Sequence, residues 1–498
     1  MNFLEQRAWL VVIVLCLVAA LRVFIFAAAF PFFNNVDEQA HVDLVLKYAH
    51  ASPPRGIENF SKDSARYFAL YSSPDYFLKP EQYAENDLGP AWTLPRDVQE
   101  QIVAAAIPVW EARPNHECGE PPFYYATAGA WMNLGRAVGL NDLTLLYWVR
   151  FLNVAFAAVL VWIGFLAARL IFPENEFGQI GTAALLAIWP QSAFYSTQAD
   201  AFSPICFGLA FLGLTKMLLQ PRVGIAVSIW TGLALAATCL TKTSNFALPI
   251  AVAIILAAKT FSSARKGSLR SFVVPMCALF LSFAVPMSLW FAWNHQNFGD
   301  LTATKSKIEL LGWAAKPISE WLPHPLFTLH GFREFWPELT ASFWRGEFVW
   351  HLQRMRSPFS DGFYAILTAL IIVAAIVLIA RRESGDKDRQ SVLWLALLSF
   401  VSILALLVIL SLRFDFGNCP YPSREHPYFI SGRLLNAAAV PFFLLLVYVI
   451  DRFAAGFKRE WIRWTVLAAT LLLVLISQFQ TNAPAFASRY NFFHRTAL

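Results

Sequence analysis

Apolar residues recur along the chain in long runs, and polar residues gather in the stretches between them. Runs of about 18 residues or more with few charges are long enough to cross a bilayer as α-helices. Such runs fall at roughly 9–31, 145–172, 179–197, 201–219, 223–240, 244–260, 272–294, 361–380, 391–412, 433–450 and 461–480. The pattern predicts an all-α polytopic membrane protein with about eleven transmembrane helices. A spanning β-barrel is excluded, because its strands alternate apolar and polar over about ten residues. The first run is too long for the apolar core of a signal peptide and no small-residue cleavage site follows it, so it is read as a helix.

Segment 122–139, "PFYYATAGAWMNLGRAVG", is short and carries an arginine and several glycines and prolines. The basic loops decide its reading. With eleven crossings and an inside N-terminus, the cytoplasmic loops are "KTFSSARKGSLR", "RRESGDKDR" and "DRFAAGFKRE", short and basic as the positive-inside rule requires. A twelfth crossing at 122–139 would move all three outside. It is therefore expected to lie in the interface. Two long segments then face the exterior, 34–144 and 295–360, together with short turns near Asp200 and Lys242 and the stretch before Arg433.

Composition agrees with this class: 57% of the 498 residues are hydrophobic and 14% charged, with a mean hydropathy of +0.49. The net charge of +6 comes from clusters beside apolar runs, so topology accounts for it and a nucleic-acid partner is not implied. No G-x-x-x-x-G-K-[ST] phosphate loop is present.

Candidate chemistry concentrates on the exterior side. "PFFNNVDEQAHVDL" follows the first span and holds Asp37 and Glu38 at the membrane boundary, where a partly desolvated carboxylate can serve as a general base. The same spacing suits a simpler role, with Asn35 or Asp37 capping an amphipathic helix that runs to about Ala49. Glu38 and His41 form an E-x-x-H pair, but no second such pair follows, so His41 reads as a positioning group. In "ECGEPPFYYATAGAW", paired prolines can start a helix that sets Tyr124 and Tyr125 at interface depth, either as a belt anchor or, with Glu120, as a substrate wall. Asp200, Lys242 and Arg433 sit at exterior helix ends, singly as side chains that snorkel to water or together as an acid beside cations that can hold a phosphate. Cys16, Cys206, Cys239 and Cys277 fall in apolar helices and are expected to be plain core residues. Cys118 and Cys419 both fall outside, which admits a disulfide between them.

The order of these pieces resembles the GT-C superfamily of integral-membrane glycosyltransferases. The acidic pair after the first span, P-P-x-Y-Y, "VRFLNVAFAAVL", "PQSAFYSTQAD", "LTKTSNF", "WNHQNFGD" and "SGRLLNAAAVPFFLLL" carry the likeness. The general plan is similar to protein O-mannosyltransferases and lipid A aminoarabinose transferases. "SFWRGEFVW" and "GRLL" look closer still to an uncharacterised family of bacterial predicted membrane proteins.

The resemblance implies inverting sugar transfer from a polyprenyl-phosphate donor to a lipid, glycan or protein acceptor on the exoplasmic face of the plasma (inner) membrane. By position, it gives Asp37 or Glu38 the role of base and makes Asp200 a second acid. Lys242 and Arg433 become phosphate-holding cations. It requires no cofactor and leaves room for a divalent cation at Asp37 and Asp200. Gln39-Ala40 after the acidic pair and Glu120 before the tyrosines depart from the family pattern. A flippase or transporter for lipid-linked sugars is the competing reading. Such proteins show internal repeats and mid-membrane charges, whereas the unusual charges in this chain sit at exterior ends.

Overall fold

Inside a bilayer each backbone polar group must be satisfied within its own segment, so the apolar runs have little choice but helix. The computed structural model describes residues 3–34, 36–85, 89–220, 223–265, 270–381, 387–457 and 459–494. Nine helical stretches among these residues are long and apolar enough to cross a membrane: Ala8–Ala29, Asp142–Ile171, Ala199–Leu219, Thr243–Ser262, Val273–Phe298, Pro358–Ala380, Lys387–Arg413, Gly432–Ala455 and Glu460–His494. Two further apolar helices, Glu176–Ile188 and Ile225–Cys239, fall where spans are expected but are shorter than a full crossing.

The expected span 179–197 is corrected most. Its helix stops at Ile188, since Pro190 has no N–H to continue the ladder. The freed carbonyls are taken up by side chains. Arg22 of the first span donates to the Pro190 carbonyl at 2.8 Å, and Gln478 donates to that of Trp189 at 3.1 Å. Tyr195 and Gln478 also accept from Arg22. The remainder, 189–197, holds the 3₁₀ turn Ser192–Phe194 and leads into a second, Ala199–Ala201, at the start of the next span.

Contacts sort the helix ends into two groups. Arg169 lies 5.0 Å over the Trp9 ring, Asn175 and Arg463 both bind Asp451, and Lys259 reaches the Leu218 carbonyl and Asp388. The described parts of the basic loops gather at this end; residues 266–269, 382–386 and Lys458 lie outside the described residues. At the opposite end Ser488 donates to Asp75 at 2.6 Å and Tyr490 to the Gly89 carbonyl at 2.9 Å. Helices Phe3–Ala29 and Glu460–Ala487 thus point the same way.

The described residues of segment 34–144 fold at the Ser488 end around helices Glu38–Ala49, Lys62–Tyr71, Arg96–Glu111 and Phe123–Ala137. The last of these packs closely on the first: a Cβ on Gly129 would stand 2.8 Å from the Ala49 nitrogen. Segment 295–360 supplies helices Thr304–Leu311 and Leu329–Arg345, and Ala314–Ala315 pairs antiparallel with Phe414–Asp415.

The disulfide expectation does not hold. Cys118 and Cys419 are free, and their sulfurs turn to the carbonyls of Glu58 and Tyr421 respectively. Cys277 is exposed on its helix and is not a core residue.

The "SGR" turn is fixed by backbone contact. Ser342 accepts from the Gly432 N–H at 2.7 Å and donates to the Ile430 carbonyl at 2.8 Å. A Cβ on Gly432 would lie 2.0 Å from the Phe343 nitrogen. Gly432→Ala is therefore expected to destabilise the protein by about 1–3 kcal/mol through overpacking, read as a lower Tm in detergent. An unchanged Tm would show that the helix yields.

Candidate functional site

After Ala29 the first span ends with carbonyls that have no partners in the helix. Arg150 supplies them. Its guanidinium donates to the carbonyls of Ala27, Phe30 and Pro31, lies 3.8 Å over the Phe32 ring, and pairs with Glu38 Oε1 at 2.6 Å. Glu38 Oε1 also accepts the Thr197 N–H at 2.9 Å, and Oε2 accepts those of Phe33 and Asn34 at 2.8 and 3.3 Å. Glu38 and Arg150 are both 0% exposed. Four donors occupy the Glu38 carboxylate, so it ties the first span, the 190s loop and the helix it begins into one joint.

Asp37 behaves differently. It stands at the start of helix Glu38–Ala49, yet its side chain makes no capping hydrogen bond, and its φ of 68° is left-handed. This corrects the expected cap, and Asn35 lies outside the described residues. Aspartate tolerates this conformation better than most residues, at a modest cost in strain. The left-handed turn sends the carboxylate outward, where its side chain is 31% exposed. Arg433 Nη2 donates to Asp37 Oδ2 at 2.6 Å, and His116 Nε2 stands 3.4 Å from Oδ1. Burial alone pushes the Asp37 carboxyl up. The His116 hydrogen bond and the Arg433 charge outweigh it and hold the group well below the usual carboxylate range.

From Asp37 the charges continue in both directions and close on themselves. Arg433 Nη1 lies 3.9 Å from Asp200 Oδ2, which Lys242 grips at 2.5 Å. In the other direction His116 is 3.3 Å from Glu117, Glu117 is 2.9 Å from Lys307, and Lys307 is 3.3 Å from Glu120. Glu120 then accepts from the hydroxyl of Thr243 at 3.3 Å, the neighbour of Lys242. Four acids (Asp37, Asp200, Glu117 and Glu120) alternate with Arg433, Lys242, Lys307 and His116. Asp200 Oδ1 is buried without a hydrogen-bond partner. Burial disfavours the His116 cation, but Asp37 and Glu117 overcome it and raise the imidazolium to about 9. Burial likewise opposes the Lys307 charge, and Glu117 and Glu120 raise it above its ordinary value.

His41 lies beneath this ring, buried, with Nδ1 2.7 Å from the Tyr125 hydroxyl. Burial pushes it down to about 4, so its imidazole is neutral. Tyr124 and Tyr125 are both buried and line no open face. Tyr125 holds His41, and Tyr124 packs toward Phe202.

Asp37, His116 and Glu117 also offer three ligand atoms within 4.8 Å of one another. Two carboxylates and an imidazole suit a divalent cation that displaces the His116 proton. Asp200, the other acid expected to serve a metal, is on the far side of Arg433 from this trio.

The fold brings Asp37, Asp200, Lys242, Arg433 and Glu120 into one ring, with His41 against it. Sequence reading missed His116, Glu117 and Lys307. Glu117 lies in the motif that already drew attention through Glu120, and His116 precedes it. Lys307 has no local signal, because 190 positions separate it from Glu117. Arg150 stands in "VRFLNV", and its charge at the mouth of an apolar run was its only mark.

A family profile described as "Predicted membrane protein (DUF2142)" matches residues 16–419. No curated protein matches the sequence. Among solved structures, the chain is similar to the Archaeoglobus fulgidus oligosaccharyltransferase in its apo form, at 10% identity and a TM-score of 0.46 over 95% of this chain and 56% of that one. The same protein in complex with zinc and sulfate gives 12% identity and 0.43, over 96% and 53%. The chain thus spans about half the length of that oligosaccharyltransferase. ArnT from Cupriavidus metallidurans bound to undecaprenyl phosphate gives 12% identity and 0.33, over 89% of this chain and 78% of that one.

Proposed function

The chain belongs to this family of predicted membrane proteins, and we propose that it is a glycosyltransferase that moves a sugar from a polyprenyl-phosphate donor to an acceptor hydroxyl on the exoplasmic face. The observation that carries this reading is a part-exposed carboxylate, Asp37, held 2.6 Å from the Arg433 guanidinium at the end of a membrane bundle. The motif order that resembles GT-C enzymes supports it independently. Basic loops gather at the opposite end, which the positive-inside rule assigns to the cytoplasm. A charged ring at one end of the bundle suits a lipid-borne donor, whose phosphate lies at the membrane boundary.

In this mechanism Asp37 is the base and Glu38 positions it. The acceptor oxygen attacks the anomeric carbon and its proton passes to Asp37. The bond from that carbon to the phosphate oxygen breaks with its electron pair going to the phosphate, which inverts the centre. The ring carries four negative and four positive groups, so an incoming phosphate must compete for a cation. Arg433 offers a bidentate fork to phosphate. Drawing it away from Asp37 raises the basicity of that carboxylate at the moment the donor is in place. A divalent cation at Asp37, His116 and Glu117 would supply further positive charge for the leaving phosphate.

Arg433→Ala is expected to raise the donor KM by about tenfold or more, equivalent to about 1.4 kcal/mol, with little change in the acceptor KM. Initial-rate kinetics in nanodiscs with both substrates varied would check this. A donor KM equal to wild type would remove Arg433 from the phosphate site.

A further inference from the structure

Segment 317–332 presents large apolar side chains to the outside at a place where an exterior loop should be polar. Ile318 is 76% and Leu322 82% exposed, and Phe327, Leu329 and Phe332 are exposed beside them. They are not the loose face of an unpacked loop. Leu326 and Phe335 on the inner face are buried, and Phe335 lies against Tyr428. Thr328 caps helix Leu329–Arg345 by accepting the Gly331 N–H at 3.1 Å. A Cβ on Gly331 would stand 2.1 Å from the Pro325 carbonyl oxygen. One face is packed tightly, and the other is uncovered and carries these five large apolar side chains with Glu320 and His330 exposed among them.

The position of helix Leu329–Arg345 identifies the cover. Trp336 donates to the Ala365 carbonyl at 2.9 Å, Trp344 donates to the Thr368 hydroxyl at 2.9 Å, and Arg345 pairs with Asp361. All three partners lie in the first turns of the membrane-crossing helix Pro358–Ala380. That helix turns Phe359, Phe363 and Ile366 outward. The Phe332 ring stacks on Trp336, 5° from parallel. The exposed strip on 317–332 therefore continues the outward face of a membrane span at the height of its first turns. Apolar and aromatic side chains at that height belong to the lipid interface.

We propose that segment 317–332 is a bilayer-seated anchor, with Ile318, Leu322, Phe327, Leu329 and Phe332 inserted among the upper acyl chains of the leaflet at the site's end of the bundle. Tyr428, against which its inner face packs, stands five residues before Arg433 in the segment that leads to the ring. Seating in lipid thus also sets the height of that segment. The inference is independent of the sugar-transfer reading, since it rests on packing and exposure alone.

The test uses the full chain in nanodiscs of phosphatidylcholine and phosphatidylglycerol. An environment-sensitive NBD amino acid is placed by nonsense suppression at 318 or 322, or, as a control, at Glu100 on helix Arg96–Glu111. Residues 318 and 322 are exposed and pack against little, so folding is not at stake. At both positions, a nitroxide on the upper lipid chain is expected to quench at least about threefold more than aqueous iodide does, with the order reversed at 100. Iodide quenching equal to that at 100 would overturn the proposal. Shielding from both quenchers would overturn it too, since a protein would then cover the face.

Discussion

Asp37→Asn is expected to lower sugar transfer by about 10²–10⁴-fold, the usual worth of a positioned general base, while the protein inserts and melts much as wild type does. Asparagine keeps the shape and one acceptor oxygen for Arg433, but it takes up no proton from an acceptor hydroxyl. The stability side follows from position. The Asp37 side chain is 31% exposed and its partners retain other anions: Arg433 is near Asp200 and His116 is near Glu117. A partly exposed pair of this kind contributes about 1 kcal/mol or less. Activity and melting measured on the same nanodisc preparation separate the two effects. Full activity in the variant would move the base elsewhere.

Arg150→Ala is expected to do the reverse, destabilising the fold by about 3–5 kcal/mol, the range for breaking a buried ion pair. The change strands the Glu38 carboxylate at 0% exposure and returns the carbonyls of Ala27, Phe30 and Pro31 to an apolar surrounding without donors. Lysine is no substitute, because one ammonium on a flexible stem cannot serve three carbonyls and a carboxylate at once. The readout is folded yield and Tm in detergent, with Glu38→Gln expected to fall in the same direction. Wild-type melting of Arg150→Ala would contradict the joint described for Glu38.

These two variants also mark what the sequence can and cannot reveal. Adjacent acids at the mouth of the first span are indistinguishable as bases by spacing, and Asp37 suited a capping role as well. Their difference comes from the partners. Arg150 is 112 positions from Glu38, and Arg433 is 396 from Asp37. Apolar runs announce helices because length and hydropathy are local properties, so most spans were legible. The run at 179–197 was not, since apolarity continues past Pro190 while the helix ends at Ile188. His116 and Lys307 lie in long polar segments, where a charge that turns inward looks like one that meets water. Cys118 and Cys419 share a side of the bundle but face different carbonyls, which no count of cysteines conveys.

The most direct test of the proposed reaction is mass spectrometry of exterior glycans and glycolipids from three cell lines. One carries the wild-type chain, one lacks it, and one carries Asp37→Asn. The predicted result is a single sugar missing from one product without the chain, restored by wild type and not by Asp37→Asn. Identical profiles in all three lines would contradict sugar transfer. Restoration by Asp37→Asn, with lipid-linked sugar trapped facing the cytoplasm when the chain is absent, would contradict it in favour of a flippase.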